Sequence, residues 1–306
     1  MNLVSIITVN FNQSYITEAL LNSIKLTNSY YPIEIIVVDN GSKVNSVPEW
    51  TLKYPEIIFI RSEINLGFAG GNNLGIKAAK GSYLFLVNND TEFTPGLIET
   101  LTGVLENNIK VGMVSPKIRY FDQPDMLQYV GYTPMNYFTA RNSCIGQFEK
   151  DNGQYDNLTG PTGYIHGAAV MIKRECIEKA GLMAENFFLY YEEYDWCDRI
   201  KKASFGVWVV TEALIYHKES ISVGKVSALK EYFMNRNRIL FVRRNAGIFA
   251  KFIFYIYFII MVIPRNIIRY IKTGHADFIK WLLIALWWNI RENKNSSKID
   301  YPINKL

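Results

Sequence analysis

The sequence has 306 residues, with Lys+Arg 33 against Asp+Glu 28 for a formal charge of +5, and 49% of its residues are hydrophobic. That length suits one large or two modest domains with a substantial core, and the composition excludes a disordered chain. The three cysteines (Cys144, Cys176, Cys197) form no C-x-x-C pair, which excludes a disulfide scaffold and a cysteine-built zinc site. The charge is divided: residues 228–306 carry 14 Lys/Arg and 4 Asp/Glu, a net of +10, while residues 1–227 carry a net of −5.

Met1, Asn2 and Leu3 lack the basic n-region of a secretory signal, and the apolar run Leu3–Val9 has only strand length, so a cytoplasmic location is expected. That run is β-branched and nearly continuous, the pattern of a strand buried on both faces. Ser14–Leu26 places Ile16, Leu20 and Ile24 at helical spacing, with Ser14 able to cap. A strand at Ile33–Val38, a short helix near 45–53 and a strand at Ile57–Ile60 follow. Then come a Gly/Ala-rich helix at 69–79, a strand at Tyr83–Val87 and a helix at Pro95–Glu106 with Pro95 in its first turn. Alternation at this spacing predicts an α/β fold with a mostly parallel central sheet flanked by helices.

Residues 111–160 hold many turn formers and read as hairpins and loops. Tyr164–Lys173 reads as a core strand, and Glu192–Ala203 as a helix with Asp195 and Arg199 at i,i+4. Val207–Val210 reads as a short strand, with 214–217 passing into a loop. From about Ala228 the chain is helical, basic and aromatic. The organisation expected is thus 1–227, divided into a nucleotide-binding half (1–110) and an acceptor half (111–227), followed by a helical extension at 228–306.

In an open parallel sheet, ligands bind beyond the carboxyl ends of the strands. All four such edges in the first half carry Asn or Asp: Asn10 and Asn12, Asp39 and Asn40, Asn65 to Asn73, and Asn88, Asn89 and Asp90. One such edge is ordinary turn chemistry; four together point to a site. The first strand–helix turn has no glycine, which excludes a dinucleotide fingerprint, and there is no phosphate loop of the G-x-x-x-x-G-K type. The glycines at 67–75 suit either close helix–sheet packing or backbone approach to a ligand.

Six motifs stand in order: T-V-N-F-N (8–12), V-D-N-G-S (38–42), N-L-G-F-A-G-G-N-N-L-G (65–75), L-V-N-N-D-T (86–91), Y-E-E-Y-D-W-C-D-R (191–199) and I-Y-H-K-E-S (215–220). In this order they resemble family 2 glycosyltransferases, in particular rhamnosyltransferase-like members that build bacterial surface polysaccharides. The resemblance implies a GT-A nucleotide-sugar-binding fold and inverting transfer from a UDP- or dTDP-linked sugar, dTDP-rhamnose among the candidates. It implies that Thr8, Asn10, Asn12 and Asp39 hold the nucleotide base, and that Asn65, Gly70 and Asn73 line the nucleotide pocket. Asn88, Asn89 and Asp90 stand where the family has D-x-D, so a divalent cation (Mg2+ or Mn2+) would rest mainly on Asp90, with His217 as a second ligand; no organic cofactor is expected.

The general base falls on Glu193, a Glu where the family usually has Asp, with Glu192 as runner-up. Adjacent acids at a helix start also suit the macrodipole alone. His166 and Gly167 suit a sugar or acceptor pocket, although His166 is equally compatible with a satisfied core position. Asp195 reads as an intrahelical brace or an acceptor-facing group.

The apolar run Phe252–Ile263 is short of the roughly 20 residues of a spanning helix. With Trp281, Trp287, Trp288 and basic neighbours, it suits helices lying in a headgroup region, and equally helices docked on the catalytic body. The expected partners are a nucleoside-diphosphate sugar, a glycan acceptor carried on a lipid diphosphate and the inner face of the cell membrane. Nucleic acid is not expected, since no base-reading fold is present. Two other readings remain at this level: a nucleotidyltransferase that makes the nucleotide sugar, disfavoured by a first loop without Gly or Lys/Arg, and a non-catalytic glycan-binding scaffold.

Overall fold

The computed structural model describes residues 1–219 and 227–302. Ser220 of the last motif, and the link into the C-terminal helices, lie outside the described residues.

Four units run as expected: β1 (Val4–Asn10), α1 (Ser14–Thr27), β2 (Ile33–Asn40), α2 (Val47–Lys53), β3 (Ile58–Ser62), α3 (Gly67–Ala78) and β4 (Tyr83–Asn88). β1 pairs in parallel with β2 and β4, and β2 with β3, so β1 and β4 flank the point where strand order reverses. A cleft opens there beyond the carboxyl ends. Gly75 makes this packing possible: a Cβ on it would lie 2.4 Å from Ile7 Cγ2 of β1. The glycine-rich helix is thereby set close against the sheet.

The second half departs from a mostly parallel sheet. The short β5 (Thr91–Phe93) and α4 (Leu97–Asn107) lead into β6 (Val111–Tyr120), followed by β7 (Leu127–Tyr129), β8 (Gly160–Pro161) and β9 (Ala169–Lys173). After α5 (Arg174–Ala180) and α6 (Glu192–Lys202) comes β10 (Gly206–His217). The main path is β3-β2-β1-β4-β9-β6-β10-β5, with β9 antiparallel to both β4 and β6, β5 antiparallel to β10, and β6 parallel to β10. The sheet is therefore mixed.

Residues 111–120 form a buried strand where hairpins and loops were expected. Gly112, Pro116 and Lys117 break the apolar pattern, but Lys117 is neutralised by Asp151 at 3.1 Å and Asp156 at 2.7 Å. β10 continues past Val210 through a register irregularity that absorbs Thr211, Glu212 and Ala213, so 206–217 is one strand. At α1, Gln13 occupies the cap position without a side-chain cap bond and Ser14 is already helical. Pro95 lies outside α4, whose entry is left-handed Gly96.

α7 (Ala228–Asn245) is no appendage. Ile239, Leu240, Phe241 and Val242 belong to the same hydrophobic core as Ile7, Val38 and Leu86 of the sheet. The boundary at 227 therefore separates charge but not packing.

α8 (Ile248–Tyr257), a π-helical turn (Phe258–Val262) and α9 (Ile263–Lys272) make one continuous helix of 25 residues, and α10 (Phe278–Arg291) packs back on α7. The π turn explains how the helix runs through Pro264, because the wider ladder relieves the clash and the missing N–H of proline. By length and composition this helix is sufficient to cross a membrane, and only 17% of its most apolar window is buried.

Candidate active site

At the mouth of β1 and β2, Asn10 Nδ2 donates to Asp39 Oδ1 (2.9 Å) and to Ser42 Oγ (3.1 Å). Asn10 Oδ1 accepts from Gln13 N (3.3 Å) and Thr17 Oγ1 (3.0 Å). The other oxygen of buried Asp39 is paired with Arg61 of β3, a partner that sequence reading did not single out. Asn12 is exposed, in the left-handed region at φ 57°, with its Oδ1 accepting from Lys43 N. Thr8 is buried within β1, and its Oγ1 has no hydrogen-bond partner.

Asn65 Oδ1 accepts from Asn40 Nδ2 and Gly67 N, tying the β3–α3 loop to β2. Asn73 and Gly70, expected in the nucleotide pocket, make close contacts within the protein. Asn73 is buried and donates to Met183 O and Glu185 Oε1, both at 2.9 Å, locking α3 to the segment before α6. Gly70 faces its own helix, where a Cβ would meet Leu66 Cβ at 2.6 Å.

The centre is assembled by strand pairing. β10 places His217 opposite Thr91 of β5, which brings the imidazole to Asp90 across 127 residues of sequence. His217 Nε2 stands 3.2 Å from Asp90 Oδ1, and Asn88 Nδ2 is 3.5 Å from the same nitrogen. Asn89 turns away, donating to Thr17 Oγ1 at 3.1 Å. The Nδ1–H of His217 donates to buried Gln128 Oε1 at 2.8 Å, which turns Nε2 toward Asp90. Asp90 Oδ1 is buried without a hydrogen-bond partner.

When the His217 ring is neutral, its Nε2 lone pair and Asp90 Oδ1 face each other as two acceptors, an arrangement a cation would relieve. Among the described residues no three His, Cys, Asp or Glu side chains converge as a cluster. Asp90 and His217 fit a divalent ion that takes its other oxygen ligands from a diphosphate and water. Gln128 is the outer partner that orients His217.

β9 runs antiparallel to β4, so its entry turn puts His166 beside this pair, ring centroids of His166 and His217 lying 5.8 Å apart. His166 Nδ1 accepts from Ala168 N at 3.2 Å, so its proton is on Nε2. Burial, with repulsion from His217, pushes its pKa down to about 3, which keeps it neutral. Gly167 beside it has room: the nearest atom to an added Cβ is Phe68 Cζ at 3.7 Å. Tyr132 stacks on His166 with an interplanar angle of 4°, and Tyr194 of α6 meets Tyr132 edge-on at 5.9 Å. This aromatic column links the Asp90–His217 pair to the first turn of α6.

That turn carries Glu192 and Glu193. Each has an Oε2 that is buried with no hydrogen-bond partner. Burial pushes Glu193 up to about 7, and burial plus the adjacent Glu193 holds Glu192 well above the usual carboxylate range. Glu192 is 3% exposed, whereas Glu193 is only partly buried.

Asp195, one turn on, is 1% exposed and faces the C-terminal helices. It takes Arg199 at 2.9 Å on one oxygen, and Arg244 at 2.8 Å and Asn245 at 2.9 Å on the other. These bonds brace α6 against α7. Gln128, Tyr132, Arg61 and Arg244 were not singled out from the sequence. The first two lie in the stretch read as loops, and the arginines are ordinary surface types until the fold pairs them.

Known proteins share this fold and much of this sequence pattern. The profile of glycosyl transferase family 2 matches residues 5–180. The chain is 26% identical over 223 residues to a low-salt glycan biosynthesis hexosyltransferase, Agl10, of Haloferax volcanii, covering 71% of this chain and 69% of that protein. It is 22% identical over 240 residues to N-acetylglucosaminyl-diphospho-decaprenol L-rhamnosyltransferase of Mycobacterium tuberculosis, covering 72% and 77%. Among solved structures, TarS 1–349 of S. aureus in complex with UDP-GlcNAc superposes with a TM-score of 0.60 at 14% identity, covering 94% of this chain and 80% of that one. The mannosyltransferase PcManGT of Pyrobaculum calidifontis, in complex with GDP-Man and Mn2+, superposes with a TM-score of 0.55 at 13% identity, covering 95% and 87%. With the profile spanning more than half its length and its sheet laid out as in these GT-A structures, the chain belongs to glycosyl transferase family 2 and is a glycosyltransferase.

Proposed function

We propose that the enzyme moves a sugar from a nucleoside-diphosphate sugar to a hydroxyl of a lipid-diphosphate-linked glycan acceptor, with inversion, at the inner face of the cell membrane. UDP- and dTDP-sugars, dTDP-rhamnose included, are the donors to test first. One contrast carries the reading. The buried carboxylates of Asp39, Asp195 and Asp198 are all held by hydrogen-bond donors, yet Glu193 Oε2 is buried with no partner and Asp90 Oδ1 faces only the His217 imidazole, at 3.2 Å. Unpaired buried carboxylate oxygens are costly and persist where a ligand or a reacting proton completes them.

In this reading Glu193 takes the acceptor hydroxyl proton as that oxygen attacks the anomeric carbon. The bond from that carbon to the diphosphate oxygen breaks, and the nucleoside diphosphate leaves with the electron pair. A pKa near 7 suits a base that must be free at neutral pH and still hold a proton. Asp90 and His217 would hold a divalent cation, which offsets negative charge on the departing diphosphate when bound. Neutral His166, its proton on Nε2, lies beside the same pair, and Tyr132 stacks on it. Asp39, with Asn10 and Arg61 fixing it, is offered to the base, and Thr8, Asn12 and Asn65 border that end of the cleft.

Membrane contact is supported by the outer face of the 248–272 helix. Phe249, Phe252, Ile256, Ile259, Ile260, Ile268 and Ile271 are exposed there, among Lys251, Arg265, Arg269 and Lys272. An apolar face with basic residues suits anionic lipid.

The test is nucleoside diphosphate release from a panel of UDP-, dTDP- and GDP-sugars with Mn2+ or Mg2+ and a polyprenyl-diphosphate glycan, in wild type and Glu193→Gln. Transfer by wild type, and a rate lower by about 10²- to 10⁴-fold in Glu193→Gln, is expected. Equal rates would remove the base assignment, and turnover by Asp90→Ala in excess chelator would remove the cation. Flotation with vesicles containing 30% anionic lipid tests the surface; no binding at low salt would remove the membrane from the reading.

A further inference from the structure

The chain reaches Glu192 and Glu193 through an unfavourable turn. Phe188, Tyr190 and Tyr191 have φ of 66°, 69° and 75°, three non-glycine residues in the left-handed region within four positions. Bulky L-residues avoid this region because Cβ crowds the backbone. Tyr191 occupies the cap position of α6 and makes no side-chain cap bond. Something outside the turn must hold it.

That support comes from one side chain of α7. Asn237, fully buried, directs its Nδ2 amide at three turn carbonyls: Phe187 O at 2.8 Å, Leu189 O at 2.7 Å and Tyr190 O at 2.9 Å. Two N–H groups shared among three acceptors make the cradle specific for a donor, and a carboxylate there would meet only carbonyl oxygens. The opposite side of the turn rests on α3, where Phe68 N donates to Phe188 O at 2.7 Å. The neighbouring Arg236 donates to Asn186 O just ahead of the turn. If the turn relaxed to ordinary backbone angles, the peptide planes at 188–191 would rotate and carry the first turn of α6 with them.

We propose that Asn237 is a positioning residue for the reaction: it clamps the left-handed turn that sets the Glu193 carboxylate in the site. This rests on Glu193 being the base. It makes α7, whose sequence reads as the start of a basic extension, part of the apparatus that shapes the active centre.

The test compares Asn237→Asp, which exchanges the donor for an acceptor at constant shape, with Asn237→Ser, which keeps one donor in a smaller side chain. The control is Asn235→Leu, on the same helix, where Asn235 bonds to Asn266 and Tyr270 instead of the turn. For each folded protein, kcat, donor KM and Tm are measured by nucleoside diphosphate release and calorimetry. Asn237→Asp is expected to lower kcat at least 30-fold with donor KM within twofold, and Asn237→Ser to fall between it and wild type. Asn235→Leu is expected to lose Tm but keep kcat within twofold. If Asn237→Asp fails to fold, Asn237→Ser alone decides. Wild-type kcat in a folded Asn237 variant, while Glu193→Gln is impaired, would overturn the clamp and leave the base assignment standing. Full activity of Glu193→Gln would remove the base assignment, and the clamp's purpose with it. An equal loss of kcat in Asn235→Leu and Asn237→Ser would also overturn the proposal, because general loosening would then account for both.

Discussion

Replacing Asp195 with Ala tests whether this acid braces the fold. Its carboxylate is buried and receives three hydrogen bonds of 2.8–2.9 Å, two of them from arginines. Burial alone would raise its pKa, but Arg244, with Arg199 and Asn245, outweighs burial and holds it below the usual carboxylate value. Breaking a buried ion pair costs about 3–5 kcal/mol. The side chains of Arg199 and Arg244 retain 22% and 19% exposure, so water can partly solvate them once the acid is gone. The lower end, about 3 kcal/mol, is therefore expected. With an unfolding entropy of about 2.1 cal/mol/K per residue, this corresponds to a Tm loss of about 5 °C at pH 7.

The pH dependence has a definite sign. A carboxylate with a lowered folded pKa contributes stability above its unfolded value near 4, and that contribution is lost as pH falls through the folded pKa. Calorimetry of wild type and Asp195→Ala between pH 7 and pH 3 should show the gap closing in acid. A loss below 1 °C at pH 7, or a gap that stays constant down to pH 3, would refute the brace.

Three further outcomes are expected. Because burial raises Glu193 to about 7, kcat should climb with pH through that region, and Glu193→Gln should lower kcat by about 10²- to 10⁴-fold and abolish the climb; stopped assays from pH 5.5 to 9 check it. Gln128→Leu removes the partner of His217 Nδ1 and should weaken Mn2+ binding by about 10- to 100-fold, read by electron paramagnetic resonance titration in the presence of nucleoside diphosphate. Gly75→Ala puts a Cβ 2.4 Å from Ile7 Cγ2, so it should destabilise by about 1–3 kcal/mol, read as a lower midpoint in urea.

Short-range pattern was enough for the first half of the molecule. Apolar runs of strand length, helical spacing at Ile16, Leu20 and Ile24, and Asn or Asp after each strand place β1 to β4 and the cleft at their ends. In these units the information is local, because each crossover buries its own residues on an adjacent strand. The family resemblance came from the same short motifs, and it identified Asp90, Glu193 and His217 as the residues to watch.

Only the tertiary structure decided which of those residues meet, and what holds them. Asp90 reaches His217 because β5 pairs antiparallel with β10, a contact set by sheet order and invisible in spacing. β6 escaped pattern reading because Pro116 and Lys117 sit in a buried strand, made tolerable by Asp151 and Asp156 from a distant loop. The partners of Asn73 and Asp195 are also set by the fold: Asn73 bonds to Met183 O and Asp195 to Arg244, contacts that spacing along the chain does not reveal. The +10 of residues 228–306 likewise conceals two different things: buried arginines and asparagines of α7 packed into the catalytic body, and a 25-residue helix whose apolar face is turned outward. Charge and hydrophobicity are properties of the chain, but which face each one occupies is settled only by packing.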